Sequence, residues 1–381
     1  MRREPQPPAW RRESADRLLD WKAMSYLLAF LGFSALIWLH ELGHYWAARR
    51  VGMKVERFSL FFPPHIWKKK KGETEYAIGI IPLGGYVKIM GMSPREEIPP
   101  GEESRSYSRM PVSKRIFVIA AGPAMNVLVA FVILFGLYVV LGTTTSTTKV
   151  DRLEAGSPAA SVLKPGDRLV AVDGVRGDAR ALGEQIATHR CGGEQVDGCK
   201  AAEPARLTVE RDGREEVIVA RPQYDAEVKR ARLGFSFASE NNPVGPVDAV
   251  GRSGAAMWRV STATADALTS LVYDPQARKE ISGVVGSYEV TRQSFEFDWA
   301  QALNVLAIIS LSLALVNLFP FLPLDGGHIF WALVEKVRGR PVAYSVMERA
   351  SVVGFVLVLM LFAVGLSNDL GRLQGEGFGI R

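Results

Sequence analysis

The chain has few cysteine and histidine residues, and this shortage limits the kinds of protein it can be. Among 381 residues only Cys191 and Cys199 are cysteines, so no disulfide framework can hold the fold together. Basic residues exceed acidic ones by six, but no basic stripe with interleaved aromatic residues occurs, which argues against a nucleic-acid partner. The first residues are rich in Arg and Pro and lack the apolar core of a secretory signal peptide.

Long apolar runs are abundant instead. Hydrophobic residues make up 48% of the chain, which is high for a purely soluble protein. Four segments approach the roughly 20 apolar residues that a bilayer crossing needs, and they lie within 24–48, 116–141, 300–328 and 349–367. The sequence therefore predicts an α-helical polytopic membrane protein with about four transmembrane helices. The lipid bilayer is then a partner, and the first span is an uncleaved anchor.

The other residues divide into tails, loops and one domain. The predicted boundaries are 1–23 and 368–381 for the tails, 49–115 for the first loop, 149–222 for the domain and 223–299 for a connector. Just before the predicted domain, TTTSTT (143–148) is typical of a polar linker. LTVERDGREEVIVARP has a DG turn between two β-rich runs, which predicts a hairpin.

The distribution of Lys and Arg predicts which side each loop faces. The loop at 49–115 contains 14 basic residues, including KKKK at 68–71, and the link between the last two spans is also basic. By the positive-inside rule both face the cytoplasm. The N-terminal tail, with six basic and four acidic residues, favours the opposite orientation. With the larger loop deciding, we expect an inner or plasma membrane protein whose 149–222 domain is extracytoplasmic.

The first span ends in HELGH (40–44), a pattern that can bind zinc. Residues four apart lie on one face of a helix, so the imidazoles of His40 and His44 point the same way, with Glu41 at the adjacent edge. Neutral imidazoles are zinc ligands, and the carboxylate can take a proton from a metal-bound water. The alternative is two helix-end histidines that face interfacial water. We favour the zinc site, because ionisable groups inside a membrane are usually functional.

A catalytic zinc usually has three protein ligands, so a third is expected at the same depth. The best candidate is Asp325 in NLFPFLPLDGGH, after the third span. Pro320 and Pro323 cannot continue a helix, and irregular backbone at membrane depth is tolerated only where protein buries it or it lines a water-filled cavity. A simple turn at the membrane surface is the alternative. The predicted topology puts HELGH and LDGG at the cytoplasmic ends of the first and third spans, near the same side, as one metal site requires.

HELGH in a first span, GPAMN (122–126) in a second and NLFPFLPLDGG at a third together resemble the site-2 protease family of intramembrane zinc metalloproteases. The closer resemblance is to the bacterial branch that cleaves anti-sigma factors and remnant signal peptides. It implies one Zn²⁺ per chain, bound by His40, His44 and Asp325. It also implies that Glu41 is the general base that acts on a zinc-activated water.

The resemblance further implies a substrate, a single-pass membrane protein trimmed first by a site-1-type protease in regulated intramembrane proteolysis. YAIGIIPLGGYVKIMGM (76–92) resembles a membrane-associated β-sheet of the family on the cytoplasmic side, whose edge would hold an unwound substrate strand. A small surface hairpin is the alternative. The candidate substrate-binding residues are Gly84, Gly85, Tyr86, Asn126 and Asn317. For Asn126 we favour an interhelical hydrogen bond, and both readings stay open for Asn317.

VDRLEAGSPAASVLKPGDRLVAVDGV (150–175) resembles the PDZ fold of bacterial proteases, an α+β domain that receives an extended peptide as an added strand. The family role is a size filter against untrimmed substrates, and a scaffold domain without a ligand is the alternative. If this inserted domain faces an oxidising space, Cys191 and Cys199 form a local disulfide; two free thiols are the alternative.

Two other classes of function compete with the protease. A non-catalytic PDZ membrane adaptor would be expected to have lost Glu41 or one ligand, and all are present. A metal transporter would need more polar residues in its spans. We therefore predict a zinc metalloendopeptidase that cleaves a transmembrane segment of single-pass membrane proteins.

Overall fold

The computed structural model describes residues 9–93, 96–226 and 228–375. Its helices are α1 (Ala9–Arg50), α2 (Val112–Leu141), α3 (Ala179–Ala187), α4 (Pro246–Tyr273), α5 (Pro275–Glu280), α6 (Val284–Phe297), α7 (Trp299–Asn317), α8 (Asp325–Arg338) and α9 (Tyr344–Gln374). Its strands are β1 (Val55–Lys71), β2 (Thr74–Ile89), β3 (Thr143–Leu153), β4 (Arg168–Val172), β5 (Val175–Arg176), β6 (Ala205–Arg211), β7 (Arg214–Ala220), β8 (Gln223–Asp225), β9 (Arg230–Arg232) and β10 (Phe235–Asn242). The chain divides into two compact units. We name Met1–Leu137 with Pro246–Arg381 the membrane unit, and Tyr138–Gly245 the inserted unit.

Four helices are long and apolar enough to cross a bilayer. They are Lys22–Arg50 within α1, Val112–Leu141, Trp299–Asn317 and Ser345–Gln374 within α9. At most 33% of the most apolar window of each is buried against protein, so most of their apolar side chains face outward, as lipid-facing helices require. These helices confirm the predicted polytopic membrane protein. Residues 1–8 and 376–381 of the predicted tails lie outside the described residues.

The membrane unit also contains a β-sheet made of β1 and β2, each of which doubles back on itself. Residues 55–62 of β1 pair with 81–89 of β2 on one side and with 74–79 on the other, and 65–71 form the far edge beside 74–79. Strand β2 corresponds to the β-rich stretch predicted at 76–92. Both bends, near Pro63 and Pro82, lie at the same end of the sheet.

The inserted unit is built on an antiparallel sheet with strand order β10, β3, β4, β6, β7. Helix α3 packs its buried Leu182 and Ile186 against the aliphatic core of this sheet. The predicted DG hairpin is confirmed: Asp212 and Gly213, with φ of 50° and 77°, join β6 to β7. Positive φ at both central residues is the conformation that two-residue hairpin turns favour.

The prediction of a polar linker at 143–148 was wrong. These residues open β3, which pairs with β10 from Thr143 opposite Asn242 to Leu153 opposite Phe235. Threonine is well suited to strands, and the partner strand is about 90 residues away, so no local signal reveals the pairing. The compact unit is accordingly wider than the domain predicted at 149–222, because β8, β9 and β10 come from the stretch predicted as a connector. A disulfide joins Cys191 and Cys199 in this unit.

Candidate metal centre

His40, His44 and Asp325 come together at the ends of two candidate spans. The histidines lie one turn apart near the end of α1, and Asp325 is the first residue of α8, just after the loop that follows α7. Oδ2 of Asp325 lies 3.2 Å from Nε2 of His40 and 3.3 Å from Nε2 of His44. The two Nε2 atoms are 3.3 Å apart. Each residue thus directs one ligand atom to a common point, and both histidines are buried.

The spacing of these three atoms fits a zinc ion. Four ligands about 2.0–2.1 Å from a tetrahedral zinc are separated from one another by roughly 3.3 Å, which is the separation found here. Oδ2 of Asp325 is buried and accepts no hydrogen bond from the described residues. A buried carboxylate oxygen without a partner is costly unless a cation satisfies it. Two imidazoles and a carboxylate are a donor set that zinc takes in catalytic sites.

The far side of each imidazole is also fixed. Nδ1 of His44 donates to the backbone carbonyl of Val118 at 2.9 Å, and Nδ1 of His40 lies 3.2 Å from the side-chain amide of Asn126. The Asn126 oxygen is buried and has no partner among the described residues when its nitrogen faces His40. Oxygen and nitrogen of an amide are assigned from the hydrogen-bond network. With the oxygen facing Nδ1–H, each histidine uses Nδ1 as a donor, which leaves Nε2 as the ring nitrogen that a metal can bind.

Glycines allow α1 and α2 to approach closely enough for these bonds. A Cβ atom at Gly122 would lie 2.2 Å from Nε2 of His44, so any side chain there would displace the imidazole. A Cβ atom at Gly43 would lie 2.3 Å from the carbonyl oxygen of Ala121. Sequence reasoning overlooked both glycines, as well as the Val118 carbonyl. The sequence did contain one indication of the role of Gly122. It lies four residues before Asn126, so both residues lie on the face of α2 toward the histidines.

The sheet of the membrane unit reaches Glu41 at one of the three predicted positions. A Cβ atom at Gly85 would lie 3.0 Å from Cγ of Glu41, so β2 packs directly on this side chain. Gly84 instead packs on the ring of Phe62. The hydroxyl of Tyr86 lies 3.3 Å from the guanidinium of Arg57 and 3.2 Å from Nε2 of His65, so it is held inside the sheet.

The two asparagines occupy different places. Asn126 is fully buried, contacts His40, and its backbone carbonyl accepts a hydrogen bond from Ser310 of α7 at 2.9 Å. It therefore forms the interhelical bond that we favoured from sequence, and its partner is a residue of the cluster. Asn317 is half-buried at the last position of α7, and its side chain makes no hydrogen bond with the described residues.

The sequence was compared with known proteins. The model of peptidase family M50 matches residues 28–361. A Rhizobium meliloti protein assigned as a zinc metalloprotease is 31% identical over 365 residues, which cover 89% of this chain and 94% of the relative. A Campylobacter jejuni protein with the same assignment is 27% identical, with 94% and 96% covered. The regulator of sigma-E protease of Salmonella typhi is 26% identical, with 93% and 99% covered.

The family match extends from the first candidate span to the last and includes all three members of the cluster. The Rhizobium relative is aligned over nearly its whole length, so the likeness is not confined to one segment. The chain belongs to peptidase family M50, the site-2 protease family of zinc metalloendopeptidases.

Proposed function

We propose that the chain is an intramembrane endopeptidase that cleaves a transmembrane segment of single-pass membrane proteins. The observation that carries the proposal is the convergence of His40 and His44, near the end of the first candidate span, with Asp325, just after the third, and with Glu41 beside the histidines. The similarity to proteins named regulator of sigma-E protease supports an inner-membrane location and a substrate of the anti-sigma-factor type, in regulated intramembrane proteolysis. A remnant signal peptide is a substrate of the same form.

His40, His44 and Asp325 would bind Zn²⁺, and the spacing of their ligand atoms fits that ion. When bound, zinc lowers the pKa of water and polarises a carbonyl group. Glu41 is the proposed general base: it takes a proton from the attacking water and returns it to the leaving amine. Asn126 and Val118 would orient the two imidazoles through Nδ1, with Nε2 directed inward as the ligand atom.

The substrate helix must unwind before it is cut, because the peptide groups inside a helix are hydrogen-bonded to one another and shielded from attack. We propose that the free edge of the sheet, residues 81–89, binds the unwound segment by main-chain hydrogen bonds. Gly85 supports this placement because it packs on Glu41 and lets the backbone approach the base. Gly84 belongs to the same edge, Tyr86 stiffens it, and Asn317 at the end of α7 is a further candidate for a substrate contact.

The orientation is proposed from charge and redox chemistry. The 14 basic residues of the 49–115 loop favour a cytoplasmic location for the sheet and the metal centre. A disulfide is typical of oxidising compartments, so Cys191–Cys199 favours an extracytoplasmic inserted unit. We propose that this unit is a PDZ domain that admits only substrates already trimmed by a site-1-type protease. Its α+β sheet and the sequence resemblance at 150–175 support that assignment.

Cleavage of a trimmed single-span reporter by the purified full-length protein tests the proposal. Glu41→Gln keeps the shape of the side chain and removes the base, so we expect cleavage to fall by about 10²-fold or more. Zinc content should stay at the wild-type value, because Glu41 is not a proposed ligand.

Glu97→Gln is the matched control, since Glu97 is an exposed glutamate in the loop after β2. It should cleave like the wild type. Equal cleavage by Glu41→Gln and wild type would contradict the role of Glu41. Wild-type protein that holds zinc stoichiometrically and cuts no trimmed reporter of the anti-sigma-factor or signal-peptide type would contradict the proposed substrate class.

A further inference from the structure

One edge of the membrane-unit sheet is strongly cationic. Residues 65–71 of β1 pair only with 74–79 of β2, so they form the outer strand of the sheet. This strand carries Lys68, Lys69, Lys70 and Lys71, all of them exposed, and we name these four residues the basic edge. Within the described residues none of the four forms an ion pair. The carboxylate opposite Lys70 belongs to Glu75, which is paired with Arg57 at 2.6 Å.

Several other cations of the same loop are paired with carboxylates. Lys88 lies 2.6 Å from Glu56 and 3.0 Å from Glu96, and Arg105 lies 2.7 Å from Glu73. Lys54 is paired with Glu102, and Arg115 with Glu335. Most of the acidic residues near the sheet therefore have cationic partners already. The four lysines are a run of adjacent positive charges without an ion-pair partner in the part of the chain that the structure describes.

The strand changes from apolar to cationic along its length. Ile66 and Trp67, directly before the lysines, are 73% and 47% exposed. The bends of the sheet at the same end expose Ile80, Ile81 and Leu83 as well. Several exposed apolar side chains at one end of a sheet are unfavourable in water and indicate a contact with lipid or with another protein.

Contacts with α1 show how far each part of the sheet lies along the first span. The ring of Phe61, near the bends, is 5.8 Å from the ring of Phe30. At the lysine end, the hydroxyl of Tyr76 is 2.6 Å from that of Tyr45, which also accepts a hydrogen bond from Arg49. Phe30 and Tyr45 are separated by 15 residues, or about 22 Å along a helix. The apolar end thus lies against the N-terminal, apolar part of the span Lys22–Arg50, and Lys69, which pairs with Tyr76, lies near its charged C-terminal end.

This order matches the order of layers in a bilayer. Apolar side chains prefer the hydrocarbon, tryptophan prefers the interface, and lysine prefers the headgroup level. We propose that the basic edge binds the headgroups of anionic phospholipids and so holds the sheet, and with it Gly85 beside Glu41, at a fixed depth. The inference rests on the proposed membrane association of the sheet and is independent of the chemistry at the metal centre.

The lysines have a simpler explanation that makes a different prediction. Charged residues on an edge strand prevent it from pairing with another chain. In that case the four lysines carry no lipid preference. A third possibility is that the lysines bind an acidic segment of a substrate. Their replacement should then not change the lipid preference of the substrate-free protein either.

The preference can be measured on the full-length protein in phosphatidylcholine bilayers. Electron paramagnetic resonance of spin-labelled lipids gives the association of phosphatidylglycerol with the protein relative to phosphatidylcholine. We expect wild type to prefer phosphatidylglycerol, and substitution of all four lysines by glutamine to reduce that preference by about threefold or more. Substitution by arginine keeps the charge and should retain the preference. Raising the salt to 1 M should reduce it in wild type, because the Debye length falls to about 3 Å.

The inserted unit provides a matched control. Lys149, Lys164, Lys200 and Lys229 are also exposed, and their replacement by glutamine changes the net charge of the chain by the same amount. This control should keep the wild-type preference. The proposal is overturned if the basic-edge variant retains the preference, or if the control loses as much of it. It is also overturned if inorganic phosphate abolishes the preference when chloride at equal ionic strength does not, since the site would then select free anions. Failure here leaves cleavage by the wild type unaffected, so it is distinct from failure of the proposed function.

Discussion

The two units of the chain differ in how many polar side chains they bury. In the inserted unit the core is aliphatic, with Leu169 and Leu207 fully buried, and Asp167 is the one buried polar residue among those described. In the membrane unit the buried polar residues include His40, Asn126 and several serines and threonines. Its apolar side chains lie mostly outside, because between 11% and 33% of the apolar window of each span is buried.

The difference follows from the solvent on each side of the fold. Water drives apolar groups into the core of the inserted unit, whereas lipid offers apolar groups as good an environment as the protein interior. Helices in lipid therefore associate through close packing of small residues and through polar contacts. Gly43 and Gly122 supply the first, and the bonds of Asn126 to His40 and to Ser310 supply the second. The metal centre uses the same contacts that join the helices.

The largest effect expected from this comparison comes from one methyl group. Gly122→Ala places a Cβ atom 2.2 Å from Nε2 of His44, and the atoms it meets belong to a ring locked by its bond to Val118. We expect zinc affinity and cleavage to fall by more than about 100-fold. Zinc content of the purified protein, measured by mass spectrometry, checks this directly.

Gly136→Ala is the control for that substitution, because it lies on the same helix and its Cβ atom would meet no other group within 4 Å. It should retain zinc and activity. Hydrogen exchange of residues 138–245 should be the same in both variants. Full zinc occupancy in Gly122→Ala would mean that α1 and α2 are not packed as described.

A smaller loss is expected when Asn126 is replaced. Asn126→Leu removes the partner of Nδ1 of His40 and frees the ring to rotate or change tautomer, so zinc affinity should drop by about 10- to 100-fold. Asn126→Asp keeps an acceptor and should bind zinc far better than Asn126→Leu. Competition with a chelator of known affinity gives both values.

Asn304→Leu makes the same chemical change on an exposed face of α7 and should not alter zinc affinity. If Asn126→Leu and Asn126→Asp were equally impaired, the role of Asn126 would be in packing α2 against α7 and not in orienting His40.

Local sequence patterns predicted those parts of both units that depend on neighbouring residues. Apolar runs located the four spans, and the DG pair located the β6–β7 turn. The HELGH spacing placed two imidazoles on one face because a helix repeats every 3.6 residues, and Asp325 was chosen as their partner from topology. The structure brings these three side chains together.

Contacts between distant segments were beyond such patterns. Strand β3 pairs with β10 about 90 residues later, so TTTSTT was read as a linker. Gly122 is spaced from His44 by 78 positions, and only the folded backbone shows that a side chain there would occupy the imidazole site. A single sequence likewise does not show that the hydroxyl of Tyr86 contacts Arg57 and His65.

The inserted unit can be weakened without affecting the metal centre. Asp167 is buried, and its carboxylate accepts hydrogen bonds from the backbone of Lys164 at 2.8 Å and from Arg211 at 2.6 Å. Asp167→Asn leaves these donors poorly satisfied, so we expect the free energy of unfolding of this unit to fall by about 2–3 kcal/mol. Asp151→Asn, at an exposed site, should change it by less than about 0.5 kcal/mol. Hydrogen exchange of residues 138–245 measures both, and zinc content should not change in either.

The smallest effect is the pH dependence of the difference in unfolding free energy between wild type and Asp167→Asn. The hydrogen bond from Arg211 holds the pKa of Asp167 below its ordinary value of 3.8. A carboxyl whose pKa is lower in the folded state stabilises the fold above its unfolded pKa, and this contribution is lost as the pH falls through the folded value. Asparagine does not titrate, so the gap in unfolding free energy between wild type and Asp167→Asn should be constant above about pH 5 and should narrow below it. A gap that stays constant down to pH 3 would show that Asp167 stabilises the unit by its shape and hydrogen bonds alone. In that case Asp167, the one buried polar residue described in the inserted unit, would stabilise its unit by hydrogen bonds and not by charge. The neutral amide of Asn126 does the same in the membrane unit.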